Sequence, residues 1–271
     1  FNNDCGGIYS FALAGSGSIT TYTNRVAMNN RIDSGMAWVY GYSSLQSAEV
    51  KGIYNDARAH NWLYYNNLID NCDIGASNNN PAGITLRGNT ILSRRGVNFR
   101  RYKFADLTNF AVKSNVISLL NNTALTYQYV TDSIGSGTVE ADMAGDVNID
   151  SNICNSVNTA YNVVTDKGNN NYYFDQWKTV TAQSANDRIV PYLPVAETGR
   201  KLVINWDNKT NSFPLSYKYS DYNGNNYNNG TISLPAYGFV LLYYTGPLDG
   251  EPQPPVITNP GDPVRVPWRT N

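Results

Sequence analysis

The densest group of reactive side chains lies in residues 52–61, Gly-Ile-Tyr-Asn-Asp-Ala-Arg-Ala-His-Asn, which hold Asp56, Arg58 and the single histidine of the chain, His60. Side chains two apart share one side of a strand and its exit turn. A carboxylate, a guanidinium and an aromatic plane on one side are groups that bind a sugar. The opening phrase occurs twice, as Gly7-Ile8-Tyr9 and Gly52-Ile53-Tyr54, 45 residues apart. Asp4 precedes the first copy and Asp56 follows the second. Two carboxylates on one face are what glycoside hydrolysis requires, one as acid and the other as base or nucleophile. Asp56 and Asp4 are therefore the expected catalytic pair, and Tyr9, Tyr54, Arg58 and His60 the expected substrate-binding groups. The plainer alternative makes Asp56 a turn cap paired with Arg58, and His60 a structural residue.

A second chemistry needs cations. Elimination from a uronate takes a base and a positive charge beside the sugar carboxylate, and Arg87, Arg94, Arg95, Arg100, Arg101 and Lys103 cluster in sequence. Arg94 and Arg95, with Arg100 and Arg101, are the expected grip on an acidic polysaccharide; a solvated loop pairing with local Asp residues such as Asp106 is the alternative. No metal site is expected, since three cysteines and one histidine are too scattered for zinc. Calcium is the one ion that nearby oxygens such as Asp70 and Asp73 could take. Asp221, Asn223 and Asn225 alternate like ligands but lack the spacing of a calcium loop and read as a turn. Phosphate loops, Gly-x-Ser-x-Gly elbows and metalloprotease helices are absent from the sequence.

The elements that hold these residues are announced by another repeat. An apolar pair two residues apart is followed three residues later by Asn, then by an apolar residue two further on. The copies are Trp62, Tyr64, Asn67, Ile69; Ile84, Leu86, Asn89, Ile91; Phe110, Val112, Asn115, Ile117; Val147, Ile149, Asn152, Cys154; and a degraded Arg25, Ala27, Asn30, Ile32. Period-two alternation predicts a half-buried strand, and the fixed Asn predicts a corner. The Asn spacings of 37, 22, 26 and 37 residues suit stacked strand-rich units of about 22 residues, as in a parallel β-helix. The longer gaps would carry a second coil or a lateral loop. Stacked Asn side chains can bond to one another, and Asn tolerates the left-handed backbone of such corners. A period of 22 would put the two Gly-Ile-Tyr phrases two coils apart, roughly 10 Å along the stack.

Composition narrows the partners. Charged residues make up 15 % of the chain and the net charge is −1, which excludes the basic footprint that nucleic acid requires. No run approaches the roughly 20 apolar residues of a membrane span. Exposed members of the 21 tyrosines would stack on sugar faces, although tyrosine is also a common strand former. Phe1 reads as a cut point with coils upstream. Cys154 fills a slot that elsewhere holds Ile and reads as a small buried hydrophobe; a disulfide between Cys5 and Cys72 is left open.

Residues 1–192 are assigned to the parallel β-helix, closed by the aromatic group Tyr172, Tyr173, Phe174 and Trp177. Residues 195–246 carry antiparallel strand signals at 201–206, 215–219, 231–234 and 239–244, which read as a small β-sandwich-like domain. Residues 247–271 contain seven of the twelve prolines and read as a Pro-rich extended tail, leading to a further domain or mediating self-assembly.

Asp4-Cys5-Gly6-Gly7-Ile8-Tyr9, Asn29-Asn30-Arg31-Ile32, Gly52 to Asp56 and Asn66-Asn67-Leu68-Ile69 resemble secreted bacterial right-handed parallel β-helix proteins of the polysaccharide lyase and glycoside hydrolase type. Phe174-Asp175-Gln176-Trp177 and the stretch from Leu234 to Leu242 resemble their last coil and appended β-domain. The resemblance implies an all-β fold and an extracellular or cell-surface location. It also implies a polysaccharide-processing role, with hydrolysis favoured over elimination because the motif region is richer in carboxylates than in lysines. The alternatives are a non-catalytic structural or adhesive β-helix, such as a fibre, phage tailspike or surface-layer component, and a carbohydrate-binding module.

Overall fold

The computed structural model of the chain describes residues 6–10, 25–33, 50–56, 59–79, 81–101, 109–120, 126–131, 145–156, 163–165, 170–191 and 193–250. Two compact units divide at residues 192 and 193. In the first, the strands are β1 (Gly6–Ser10), β2 (Arg25–Met28), β3 (Arg31–Ile32), β4 (Lys51–Asn55), β5 (Trp62–Tyr65), β6 (Leu68–Asn79), β7 (Thr85–Arg87) and β8 (Thr90–Arg101). They continue with β9 (Phe110–Lys113), β10 (Val116–Leu119), β11 (Tyr127–Thr131), β12 (Val147–Asp150), β13 (Ile153–Ser156), β14 (Val163–Thr165) and β15 (Asn170–Tyr172). Helix α1 (Phe174–Thr181) and strand β16 (Arg188–Pro191) complete the unit. The chain is all-β in class, with mostly parallel pairing here.

A five-stranded parallel sheet runs β12-β9-β7-β5-β2, and an eleven-stranded sheet has the main path β1-β4-β6-β8-β10-β13-β16. The repeated phrase links them. Each Asn stands between a strand of the smaller sheet and the next strand of the larger one: Asn30 between β2 and β3, Asn67 between β5 and β6, Asn89 between β7 and β8, Asn115 between β9 and β10, and Asn152 between β12 and β13. The residue before each of these Asn residues, Asn29, Asn66, Gly88, Ser114 or Ser151, has a positive φ of 52–63°. The left-handed turn therefore belongs to the residue before the ladder Asn, which corrects the expectation that the ladder Asn itself takes it.

The ladder side chains bond along the stack. Asn67 Oδ1 accepts both the backbone N–H and the Nδ2 of Asn30 at 2.9 and 3.0 Å. Asn67 donates in the same way to Asn89, Asn89 to Asn115, and Asn115 to Asn152, at 2.9–3.0 Å. The second Nδ2 proton goes to a strand carbonyl, as from Asn67 to Ala27 and from Asn89 to Tyr64. Each buried amide thereby uses both of its protons and both of its acceptor sites, which removes the cost of burial. Asn30 bonds directly to Asn67, and Asn115 directly to Asn152, across 37 residues. Each long gap thus spans a single repeat.

Between the two sheets lie Tyr64, Ile69, Ile91, Val97, Phe99, Phe110, Val112, Ile117 and their neighbours, all buried in one core. Close approach inside it explains a column of glycines. A Cβ on Gly52 would meet Ile69 Cγ2 at 2.2 Å, and one on Gly75 would meet Ile91 Cγ2 at 2.2 Å. Helix α1 buries Phe174 and Trp177 against the same core. The sequence marked this segment as a closing aromatic coil. It forms a helix because the Tyr173 N–H is capped by Gln176 Oε1 at 3.1 Å and Ala182 supplies a left-handed C-cap.

The second unit has strands β17 (Arg200–Ile204), β18 (Asn211–Pro214), β19 (Tyr217–Asp221), β20 (Asn226–Tyr227), β21 (Thr231–Leu234) and β22 (Phe239–Pro247). They form antiparallel sheets β17-β22-β19-β20 and β18-β21. Val203, Tyr219, Ile232, Leu234 and Leu242 from both sheets share one core. Asp221 binds the N–H groups of Asn223 and Asn225, each at 2.9 Å, so this segment is a turn. Among the described residues no helix is long and apolar enough to cross a membrane.

Candidate functional site

The two Gly-Ile-Tyr phrases lie on neighbouring strands: Ile8 is opposite Ile53 and Tyr9 opposite Tyr54. The expected separation of two coils is corrected to one, because β1 pairs directly with β4. At this pitch the aromatic rings meet. The Tyr9 and Tyr54 centroids are 5.2 Å apart with planes tilted by 55°. Tyr54 is buried, and Lys51 Nζ lies 4.1 Å from its ring centroid. Tyr9 is 48 % exposed.

Asp56 directly follows β4. Tyr9 Oη donates to its Oδ2 at 2.9 Å, and Asn79 Nδ2 reaches its Oδ1 at 3.5 Å. The same Asn79 amide donates to Tyr54 Oη at 2.7 Å. The backbone of Asp56 is held by Ser10 O at 2.8 Å and itself accepts from Ala59 N at 2.9 Å. Two tyrosines and an amide on three adjacent strands thus fix one partly exposed carboxylate. Beneath it, Ser10, Asn55, Asn78 and Tyr64 form a buried polar group, with Ser10 Oγ donating to Asn55 Oδ1 at 2.6 Å and Asn55 Nδ2 to Asn78 Oδ1 at 2.8 Å. Burial pushes the Tyr64 phenol up to about 12.

Strand register extends this face. Tyr9, Tyr54, Ser77, Asn98 and Gln128 succeed one another across β1, β4, β6, β8 and β11. Asn79 is opposite Arg100, which is exposed. Asn79 as a neighbour of Asp56 is not legible in the sequence. The strands alone carry a signal, in Gly75-Ala76-Ser77 and Gly96-Val97-Asn98, which repeat the glycine of Gly-Ile-Tyr without its tyrosine.

The remaining expected site residues are dispersed or outside the described residues. Asp4 and Arg58 lie outside them, as does Cys5. His60 forms an isolated parallel bridge with Ala82. Arg94 and Arg95 sit within β8, not in a loop. Arg94 pairs with Asp73 at 3.1 Å, and six residues separate it from Arg100, roughly 20 Å along a strand. Cys154 is a buried free thiol in the core, as its slot implied; Cys72 is buried as well. Among the described residues no three His, Cys, Asp or Glu side chains group to hold a metal ion.

Another acidic residue is perturbed. Burial, reinforced by Asp33, raises the Asp70 carboxyl to about 6 against the pull of Arg31. Arg31 itself bridges to Asp33 at 2.8 Å.

Comparison with protein-family models, with curated proteins and with solved structures finds no match to this chain.

Proposed function

We propose that residues 1–192 wind as a right-handed parallel β-helix and that the chain is an extracellular or cell-surface protein that processes polysaccharide. In this reading the substrate lies on the Tyr9–Tyr54–Asp56 face and is cleaved by glycoside hydrolysis. The winding is supported by the passage from the five-stranded to the eleven-stranded sheet at each ladder Asn. Parallel connections of this kind favour the right hand.

One observation carries the function: a half-exposed tyrosine donates its hydroxyl to a carboxylate 2.9 Å away on the next strand position. An aromatic face takes the apolar face of a pyranose, and the adjacent carboxylate acts on its hydroxyls or anomeric centre. Asp56 is the reactive carboxylate, with Asp4 assigned as its partner. Tyr9, Arg58 and His60 are assigned to substrate, whereas Tyr54, expected from the sequence to touch it as well, is buried and supports the face by accepting from Asn79. Arg94 and Arg95 would serve a ligand reaching the middle of β8.

The test is electrophoresis through native gels containing a panel of neutral and acidic polysaccharides. At least one polymer should retard the protein, and Tyr9→Ala should abolish the retardation while Tyr9→Phe keeps most of it. Unchanged retardation of Tyr9→Ala would overturn the assignment of the face.

A non-catalytic structural or adhesive β-helix is the second reading, favoured by one feature. Among the described strands β2 is an edge of its sheet, and it exposes Val26 and Met28 at 48 % each. Exposed edges invite strand addition. Concentration-dependent assembly in sedimentation velocity, abolished by Val26→Lys, would support it.

A further inference from the structure

The five-stranded sheet carries a feature that the Asp56 face does not use. On its outer side, across β9, β12 and the segment after α1, lies a groove of about 690 Å³. That volume falls within the range of small-molecule sites. Ala111, Ala182 and Ala185 are among the residues that line it, and their short side chains take up little of its space. Asn148 lies directly opposite Ala111 and is exposed, whereas Phe110, Val112, Val147 and Ile149 point into the core.

The groove walls are polar and already fixed. Gln183 Oε1 accepts the Ile149 N–H at 2.8 Å. Asp146 Oδ2 accepts from Tyr129 Oη at 2.9 Å. Asp150 accepts the Asn186 N–H at 2.9 Å and Asn186 Nδ2 at 3.0 Å, with Ser151 Oγ at 3.2 Å. Burial works to raise the Asp150 carboxyl, but these hydrogen bonds outweigh it and hold it below the usual carboxylate value. Lys113 stands opposite Asp150.

We infer that this groove is a second binding site, independent of the Asp56 face, and that it takes a neutral oligosaccharide. Two carboxylates against one ammonium repel an anionic ligand, and Lys113 opposes a metal cation. The lining alanines offer too little apolar area for a hydrophobic ligand. Carboxylates accept hydroxyl protons, amides both donate and accept, and Lys113 donates, which is the pattern that vicinal sugar hydroxyls satisfy. Because the partners are held by the backbone and by neighbouring side chains, little ordering is needed on binding.

The experiment is calorimetric titration of the full chain with neutral hexasaccharides of glucose, mannose and galactose. At least one should bind with Kd below about 1 mM. The double variant Asn148→Leu, Lys113→Met should weaken that binding at least tenfold, whereas Asp56→Asn should leave it unchanged. Hydrogen exchange with the bound hexasaccharide should slow at residues 145–150 and 182–186. Absence of binding by all three sugars, wild-type affinity in the double variant, or protection confined to the Tyr9–Asp56 face would each overturn the inference. If Asp56→Asn changes nothing in any assay while the groove still binds, the proposed function fails and the groove stands.

Discussion

Asn152 gives both its backbone N–H, at 2.7 Å, and its side-chain amide, at 3.1 Å, to a single carboxylate oxygen of Asp187. Asp187 occupies the place where a sixth ladder Asn would stand, two residues before Ile189, which pairs with Cys154. A carboxylate accepts and cannot donate, so the chain of amides ends there. The aligned N–H groups point their positive ends at that oxygen, as at a helix N-terminus. Burial nonetheless raises the Asp187 carboxyl above its usual value, against hydrogen bonds from Asn152 and Tyr127. Tyr127 Oη donates to its other oxygen at 3.1 Å.

The ladder is expected to dominate the stability of the first unit. Asn115→Ala removes one buried amide, leaves the Asn89 N–H and Nδ2 without their shared acceptor and the Leu86 carbonyl without its side-chain donor, and leaves Asn152 Oδ1 with the backbone N–H of residue 115 alone. A loss of about 3–5 kcal/mol should appear in urea unfolding. A loss below about 1 kcal/mol would mean that water replaces the amide.

Backbone strain in the corners can be relieved. Ser114 has φ 56° at the position where the preceding repeat has Gly88. Ser114→Gly should therefore stabilise the protein by about 0.5–1 kcal/mol, because the left-handed cost of an L-residue is removed. The urea midpoint reports it directly.

Close packing at Gly52 makes the opposite forecast. Gly52→Ala places a methyl group 2.2 Å from Ile69 Cγ2 and 2.7 Å from the Gly75 carbonyl. The expected cost is about 1–3 kcal/mol. Gly246→Ala, where nothing lies within 4 Å, is the matched control and should be close to neutral.

Asp70 ties stability to pH. Its folded value of about 6 lies above the ordinary 3.8, so between those values the native state holds a proton that the unfolded chain has released. Stability from this group is fully present below about pH 4 and falls as pH rises to about 6, by at most about 3 kcal/mol. Asp70→Asn should flatten that slope. An unchanged slope in urea midpoints measured from pH 4 to 7 would contradict the assignment to Asp70.

The scaffold was more legible than the site. Asn67, Asn89, Asn115 and Asn152 announce themselves because the same corner needs the same amide in every repeat. Asp187 escaped the pattern because an acceptor-only terminus breaks the residue identity that defines it. Tyr9 and Tyr54 could be placed on one face, but their spacing could not be read, since 45 residues divide as well into two repeats as into one repeat with an excursion. Asn79 could not be linked to Asp56 from sequence, because the contact depends on strand register across 23 residues. The shift at Asp70 comes first from burial and then from Asp33, against the pull of Arg31, and no local pattern encodes that burial.

The most direct measurement is release of reducing ends from a panel of polysaccharides by the wild-type chain and by Asp56→Asn. The variant keeps the size of the side chain and an acceptor for Tyr9 Oη, so its unfolding midpoint should stay close to that of wild type. Cleavage of at least one polymer by the wild type, lost at least a thousandfold in Asp56→Asn, is the expected result, in line with the order of magnitude for removing a reacting group. Equal release by the two proteins, or none by either, would contradict the assignment of Asp56 as the reactive carboxylate of a polysaccharide hydrolase.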